Sequence, residues 1–329
     1  MIGSASQPLL RIRALHVSLP TSEGLVRVVD GIDLDVTAGR VAGVAGESGS
    51  GKTVSMMAIL GLLPPGSVVS GEACFRGDDL LAASDEQIAK RRGKDIGLVM
   101  QDPHSSLHPM LSVGQQLTDH VKYHLKVGNR EARERAIDLL RQVRIPDPEG
   151  SFHAHPHHFS GGMRQRIAIA IALACGPSLL IADEPTTGLD VTVQAGILHL
   201  LHDLGELHNL GIILITHDLG VMSALADSLT VLYAGRVVEA GPTSTVLGAP
   251  RHPYTAALLA ALPNPARPEA RLLPIPGHLG PPDRWPAGCT FHPRCLYAES
   301  RCSQVVPELR SVGGGRLHAC LVDPFGPQS

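Results

Sequence analysis

Short apolar blocks, separated by polar and glycine-containing segments, run along the chain and predict its strands and helices. Residues 9–17 and 26–36 predict two β segments joined by a turn at Ser22-Glu23-Gly24. Residues 54–63 have helical character, and the region after residue 100 is ambiguous but mostly helical up to about residue 175. Continuous apolar runs, typical of buried strands, occur at 40–46, 96–100, 179–182, 211–216 and 228–233. Strands that alternate with helices predict an α/β fold whose sheet is mostly parallel and covered on both faces.

The composition changes towards the C-terminus. Eight prolines fall within residues 262–286 and argue against a helix or central strand there, so we expect a linker. Four of the six cysteines crowd into the last 41 residues, beyond this linker: Cys289, Cys295, Cys302 and Cys320. The clustering indicates a small cap with its own chemistry.

Charge and hydropathy exclude some classes of protein. The formal net charge is -3, so the chain lacks the strongly basic character of a nucleic-acid-binding domain. The first six residues lack the pattern of a secretory signal peptide. The most apolar stretch, 167–182, is interrupted by Gly176-Pro177-Ser178 and is too short to span a bilayer. We expect a soluble chain that acts on membranes only through partners.

The apolar run 40–46 leads into a glycine-rich segment followed by a helix. Glycines let backbone N–H groups converge on phosphate oxygens, and the helix N-terminus adds partial positive charge. We expect Lys52 to reach the β- and γ-phosphates and Thr53 to bind Mg²⁺. The segment matches the pattern GxxxxGK[ST] and comprises Gly46, Glu47, Ser48, Gly49, Ser50, Gly51, Lys52 and Thr53.

Two acids follow the apolar run 179–182. In open α/β sheets ligands bind beyond the carboxyl ends of the strands. We therefore expect Asp183 to hold Mg²⁺, directly or through water, and Glu184 to be the base that orients the attacking water.

A second candidate anion site, Ser160-Gly161-Gly162, lies 23 residues before Asp183 at the predicted start of a helix. One nucleotide does not need two phosphate-binding loops, but two subunits do if each contributes its second loop to the ATP of the other. Ser160 is also explained in part as a helix N-cap.

The Ser160-Gly161-Gly162 stretch resembles the signature motif of ATP-binding-cassette (ABC) ATPases. Gln101-Asp102-Pro103 resembles the Q-loop of that family, Gly188-Leu189-Asp190 the D-loop, and His217 the switch histidine. The resemblance implies that Gln101 senses Mg²⁺ and the attacking water, and that His217 contacts the γ-phosphate. It also implies that Ser160, Gly161 and Gly162 act in trans, and that Asp190 belongs to the ATP site.

The same resemblance implies a P-loop NTPase cassette, with an antiparallel β edge on a mostly parallel sheet. We expect this nucleotide-binding domain to span 8–248, with a helical subdomain at about 103–175. A C-terminal extension, 249–329, would then contain the linker and a four-cysteine cap at 288–320.

Several segments resemble one branch of the family, the ATPase subunits of dipeptide and oligopeptide importers. They are Met163-Arg164-Gln165-Arg166, Asp183-Glu184-Pro185-Thr186-Thr187, Asp190-Val191-Thr192-Val193-Gln194, His252-Pro253-Tyr254, and Gly288-Cys289 with His292-Pro293-Arg294-Cys295. The resemblance implies an ATPase at the cytoplasmic face of the inner membrane that drives import through ATP-dependent cassette pairing. Its implied partners are a second cassette, identical or different, two transmembrane permease subunits and an extracytoplasmic solute-binding protein. Nickel or another small solute is an alternative cargo.

Other functions of P-loop proteins fit less well. An ABC ATPase that remodels nucleic acid or ribosomes usually carries coiled-coil insertions, basic extensions or two cassettes, and this sequence has one P-loop and one signature. A GTPase switch would need an Asn-Lys-x-Asp stretch, which the sequence lacks.

The sequence departs from the family's usual residues at two places, one of which concerns how adenine is bound. Residues 16–20 contain no Phe, Tyr or Trp to stack on adenine. The second departure is a group of histidines just before the signature, which we interpret as facing solvent and not as a metal site. They are His153, His155, His157 and His158.

The terminal cysteines are spaced C-x5-C-x6-C-x17-C. An oxidising compartment would favour two disulfides, whereas an ATP-consuming chain belongs in the reducing cytosol, where clustered thiols more often bind metal. Zinc sites usually have shorter C-x₂₋₄-C spacings. The resemblance implies a [4Fe–4S] cluster on Cys289, Cys295, Cys302 and Cys320, with zinc and unliganded thiols as alternatives. We expect it to stabilise the cap and, being far along the chain from the P-loop, to take no part in hydrolysis.

Overall fold

The computed structural model describes residues 7–102, 106–262 and 274–326 of the protein. These residues form two compact units, one built mainly from Ala83–Ile215 and the other mainly from Leu10–Asp35, Ala42–Ala82 and the chain beyond Ile215. Within the described ranges, no helix has both the length and the apolar character that a bilayer span requires.

The first unit contains parallel strands flanked by helices. Strands β6 (Ile96–Val99), β7 (Leu179–Asp183) and β8 (Gly211–Thr216) are parallel neighbours in the order β8-β7-β6. Every residue of β7 and β8 is buried, which explains their uninterrupted apolar sequence. The helices are α2 (Asp85–Arg91), α3 (Val113–Leu125), α4 (Asn129–Gln142), α5 (Pro148–His153), α6 (Gly161–Leu173) and α7 (Val191–His208).

The second unit contains two groups of strands. The strands are β1 (Leu10–Thr21), β2 (Gly24–Val36), β3 (Val41–Ala45), β4 (Val68–Phe75), β5 (Asp78–Asp79), β9 (Ser228–Tyr233), β10 (Arg236–Pro242), β11 (Arg310–Ser311) and β12 (Leu317–His318). In one group the strand order is β2-β1-β4-β5, and in the other it is β11-β12-β10-β9-β3, with β3 parallel to β9. The helices are α1 (Lys52–Ile59), α8 (Leu219–Leu225), α9 (Thr243–Gly248) and α10 (Pro253–Ala260).

The α/β fold with parallel strands and an antiparallel β group confirms the predicted fold class, but the local structure differs from the prediction in places. Helix α1 begins at Lys52 and not at residue 54, because its N-cap is Gly51 in the P-loop, and it ends at Ile59, just before Gly61 at a φ of 60°. Strand β4 was not predicted at all. Most of its residues are exposed or half-buried, so it has no strong apolar signal.

The C-terminal extension is joined to β10 through strand pairing. Strand β12 pairs antiparallel with β10, with His318 opposite Glu239. Of the predicted linker, 263–273 lie outside the described residues. In the described part, 274–286, the only helical segment is the short 3₁₀ turn Pro282–Arg284.

A buried ion pair stabilises this junction. The carboxylate of Glu239 is fully buried and accepts hydrogen bonds from the guanidinium of Arg316 and from the backbone N–H groups of Arg251 (2.9 Å) and His252 (3.0 Å). Because carboxylates lose hydration when they are buried, this pair depends on having all its partners.

We predict that Glu239→Gln destabilises the protein, because it leaves the buried Arg316 guanidinium without its countercharge. The free energy of unfolding should fall by about 3–5 kcal/mol, which urea denaturation can measure. Glu299→Gln is the control, since Glu299 pairs with Arg301 at the surface and should contribute at most about 1 kcal/mol. Equal effects of the two substitutions would contradict the prediction.

Candidate nucleotide-binding site

The P-loop between β3 and α1 has a backbone that only glycine accommodates. Gly46, Gly49 and Gly51 have φ values of 151°, 81° and 99°. A Cβ at Gly46 would lie 2.2 Å from the carbonyl oxygen of Leu232. The loop conformation therefore requires both fixed glycines of the sequence pattern, Gly46 and Gly51, and also Gly49 between them.

The side chain of Lys52 is buried inside this loop. Its Nζ donates to the carbonyl oxygens of Gly46 (2.7 Å) and Glu47 (2.9 Å). Thr53 is exposed in the first turn of α1, at the positive end of the helix. The loop thus places a cation and a hydroxyl at one helix N-terminus.

Ser50 supports the interpretation of the loop as a ligand site. It is fully buried, and its Oγ has no hydrogen-bond partner among the described residues. Buried polar groups are normally satisfied, so this hydroxyl suits a loop whose hydrogen bonds are completed by a phosphate-bearing ligand.

The predicted acids lie in the first unit, at the carboxyl end of β7. Asp183 is buried, and Glu184 follows it with a φ of 45°. Gln101 donates from Nε2 to Glu184 Oε2 (3.3 Å), and Thr187 donates from its hydroxyl to the same oxygen (2.8 Å). The structure therefore brings together the Q-loop glutamine and the predicted base. Pro103 of that motif lies outside the described residues.

The left-handed conformation of Glu184 is unusual for a residue with a side chain. Such strain costs about 1–3 kcal/mol and is concentrated at functional sites. The backbone N–H of Glu184 is held by the carbonyl of Ile215 in β8 (2.9 Å), which maintains this conformation.

The signature residues begin helix α6. Ser160 is exposed, and its hydroxyl accepts from Met163 N–H (3.3 Å), so the N-cap interpretation is correct as far as it goes. Gly162 packs against α7, and a Cβ there would lie 2.4 Å from Val193 Cγ1. Asp190 caps α7 by accepting from Val193 N–H (3.0 Å). The signature and D-loop segments are thus packed together.

His217 lies in the second unit, directly after β8. It is exposed, and the following Asp218 caps α8 through its side chain.

At the position of the missing aromatic residue, His16 Nδ1 lies 3.0 Å from Asp30 Oδ1. Of the other histidines, His153, His157 and His158 are exposed and His155 is half-buried.

Two residues of the extension contact the P-loop, and no role was predicted for either. Tyr254 Oη accepts a hydrogen bond from Glu47 N–H (2.8 Å), and Arg294 pairs with the Glu47 carboxylate. Burial lowers the pKa of His252 to about 3, so its neutral Nδ1 can cap α10 by accepting from Tyr254 N–H (3.0 Å). In the sequence, Tyr254 and Arg294 stand out only because they belong to the His-Pro-Tyr and His-Pro-Arg-Cys segments, which resemble peptide-importer ATPases. The cap, distant along the chain, is therefore in contact with the P-loop.

The four terminal cysteines converge on one small cavity, which all four line. All are reduced, and Gly288 allows the backbone to approach Cys302, whose carbonyl oxygen would lie 2.4 Å from an added Cβ. Burial raises the pKa of the Cys289 thiol to about 11, and it also raises the pKa values of Cys295 and Cys320. Among the described residues, no three His, Cys, Asp or Glu side chains form a group able to hold a single metal ion.

Comparison with known proteins agrees with this geometry. Residues 29–187 match the family described as ABC transporter, and residues 238–302 match the family described as Oligopeptide/dipeptide transporter, C-terminal region. The dipeptide transport ATP-binding protein DppD of Escherichia coli (strain K12) is 46% identical over 95% of this chain and 96% of its own length. The oligopeptide transport ATP-binding protein OppD of Haemophilus influenzae is 41% identical over 95% and 97%, respectively.

A solved structure has the same fold. It is a dimeric ATP-binding cassette in a post-hydrolysis state bound to ADP and Pi, with a TM-score of 0.63 and 25% identity. The match covers 71% of this chain and 98% of that cassette. Both resemblances found in the sequence are confirmed, and the chain belongs to the ABC transporter ATP-binding proteins, in the branch that carries the oligopeptide/dipeptide transporter C-terminal region.

Proposed function

We propose that this ABC ATPase powers the import of dipeptides or oligopeptides. The observation that carries the proposal is one chain in which a P-loop closed around Lys52 is joined to the C-terminal region of peptide transporters. Relatives that are named for dipeptide and oligopeptide transport and that align over nearly the whole chain support this cargo. Import of nickel or another small solute by the same motor is the second candidate.

The residues have distinct roles in hydrolysis. Lys52 and the N–H groups at the start of α1 bind the phosphates, since they combine a cation with a helix N-terminus. Thr53, Gln101 and Asp183 would hold Mg²⁺, which supplies charge neutralisation on the phosphates. Glu184 orients the attacking water, and its hydrogen bonds from Gln101 and Thr187 position the carboxylate. His217 contacts the γ-phosphate.

The active site is shared between two cassettes. Ser160 is exposed on this chain, so its surface is available to the nucleotide of a partner. The dimeric state of the similar cassette supports this arrangement. Gly161, Gly162 and Asp190 belong to the same shared surface. The motor binds two transmembrane permease subunits at the cytoplasmic face of the inner membrane and receives its cargo from an extracytoplasmic solute-binding protein.

We also propose that the four terminal cysteines would hold a [4Fe–4S] cluster. They line one cavity, as a shared ligand requires, and their neutral thiols would lose protons on binding. Zinc sites usually have cysteines separated by two to four residues, and the spacings between these four are longer. The cluster would cross-link the cap.

We predict that Glu184→Gln blocks turnover and retains nucleotide binding, because phosphate and Mg²⁺ contacts are intact. The rate of ATP hydrolysis should fall by about 10²–10⁴-fold, measured as phosphate release, while ATP promotes pairing of the cassettes in size-exclusion chromatography. Glu206→Gln, an exposed change on α7, should hydrolyse ATP at the parent rate. Equal rates for the two variants would contradict the role of Glu184.

We predict that an inactive Lys52→Ala chain and an inactive Ser160→Arg chain restore activity to each other when mixed. In a mixed dimer both lesions fall at one interface, and the other interface is intact. ATPase activity should rise with the fraction of mixed dimers. Absence of recovery at every ratio would contradict a homodimer and direct the search to a different partner cassette.

We predict that protein purified without oxygen is brown and contains about four irons per chain. Cys289→Ser should remove the colour and the iron, whereas Cys74→Ser, outside the cap in β4, should retain both. Visible absorption and metal analysis provide the measurement. A colourless protein with one zinc per chain would contradict the cluster and leave the ATPase assignment unchanged.

A further inference from the structure

Arg294 forms a bidentate ion pair with the P-loop, although 247 positions separate the two residues. Its Nη1 donates to Glu47 Oε2 (2.8 Å) and its Nη2 to Glu47 Oε1 (3.0 Å). Only 8% of the Arg294 side chain is exposed. A parallel pair of charged hydrogen bonds in a largely buried setting is both strong and geometrically specific.

The surroundings of Arg294 fit a guanidinium and not another cation. Its Nε donates to Pro276 O (2.8 Å), Nη1 also reaches Tyr233 Oη (3.2 Å), and Nη2 also reaches Gly277 O (3.4 Å). The five N–H donors of the guanidinium therefore match five acceptor contacts. The point charge of a lysine could not reproduce this arrangement.

Glu47 transmits this anchoring to the phosphate-binding lysine. Its backbone N–H is held by Tyr254 Oη (2.8 Å), and its carbonyl oxygen accepts from Lys52 Nζ (2.9 Å). A displacement of Glu47 would therefore displace one of the carbonyl groups that hold the Lys52 ammonium.

Electrostatics give Arg294 a second effect on the same loop. The Glu47 carboxylate is an anion in a segment that binds phosphates, and like charges at short range repel. Arg294 neutralises that carboxylate from the side of the cap. Glu47 therefore anchors the loop, and its negative charge does not repel the phosphates of the nucleotide.

We propose that Arg294 is a positioning residue for nucleotide binding, through which the four-cysteine segment fixes Glu47 and holds the P-loop ready for the phosphates. Arg294 lies between Cys289 and Cys295 at the end of the 3₁₀ turn His292–Arg294, so the fold of the cap sets its position. The proposal rests on the assignment of the P-loop as the nucleotide site and is independent of what the cysteines bind.

The test is a binding measurement with MgADP, which is not hydrolysed, on the full chain by calorimetry. Arg294→Gln and Glu47→Gln should each raise the Kd about 10-fold, the scale expected when a charged bidentate pair is lost. The double variant should bind no worse than either single variant, because both substitutions remove the same Arg294–Glu47 ion pair. Arg294→Lys should not restore binding. In hydrolysis assays the KM for ATP should rise while kcat changes less than about 2-fold.

The matched control is Arg301→Gln, which removes an exposed ion pair with Glu299 within the same cap and should leave the Kd unchanged. Lys52→Ala should abolish binding. Should Arg294→Gln fold poorly, Glu47→Gln, outside the cap, must still weaken binding about 10-fold. Parent-like Kd values for Glu47→Gln and Arg294→Gln, or additive effects in the double variant, would overturn the proposal. Parent-like binding by Lys52→Ala would instead overturn the nucleotide site itself.

Discussion

A lysine ammonium buried in a glycine loop is the constraint on which the nucleotide-binding half of the structure depends. Burying an isolated cation is costly, so Lys52 requires carbonyl oxygens in place of water, and Gly46 and Glu47 provide them. The loop can aim those carbonyls inward only with the positive φ angles of its glycines. The same turn directs the backbone N–H groups at the start of α1 towards a phosphate. Charge solvation and phosphate binding are therefore two results of one backbone conformation.

The two acids predicted to act in hydrolysis are positioned by buried strands and by a strained backbone. Asp183 and Glu184 follow a strand whose residues are all buried, so their positions are set by β7 and its neighbour β8. Glu184 has a strained backbone, and the hydrogen bond from its N–H to Ile215 maintains it. Gln101 and Thr187 then restrict its carboxylate. A rigid strand end, a strained residue and two side-chain donors together orient one carboxylate.

Buried polar groups and buried aromatic side chains together hold the C-terminal extension, with Tyr254 and Phe291 packed against Tyr233 of β9. Glu239, Arg316 and two backbone N–H groups form a buried network on β10, and Arg251 adds an ion pair with Asp323. Such networks require nearly every partner to be present. They hold the extension where Tyr254 and Arg294 contact Glu47. The cysteines, which line one cavity, are a second constraint on the same segment.

Features that depend on local physics could be predicted from the amino-acid sequence. The glycines of the P-loop, the cap at Ser160, and the buried strands at 179–182 and 211–216 could all be predicted from residue type and spacing, because each depends on neighbours within a few positions. The strand β4 could not, since its residues are mostly exposed and its pairing with β1 is what makes it a strand. The contacts of Arg294 and Tyr254 with Glu47 arise from the folding of the whole chain, because they join positions more than 200 residues apart. No periodicity encodes such contacts, because they depend on the path of the whole intervening chain.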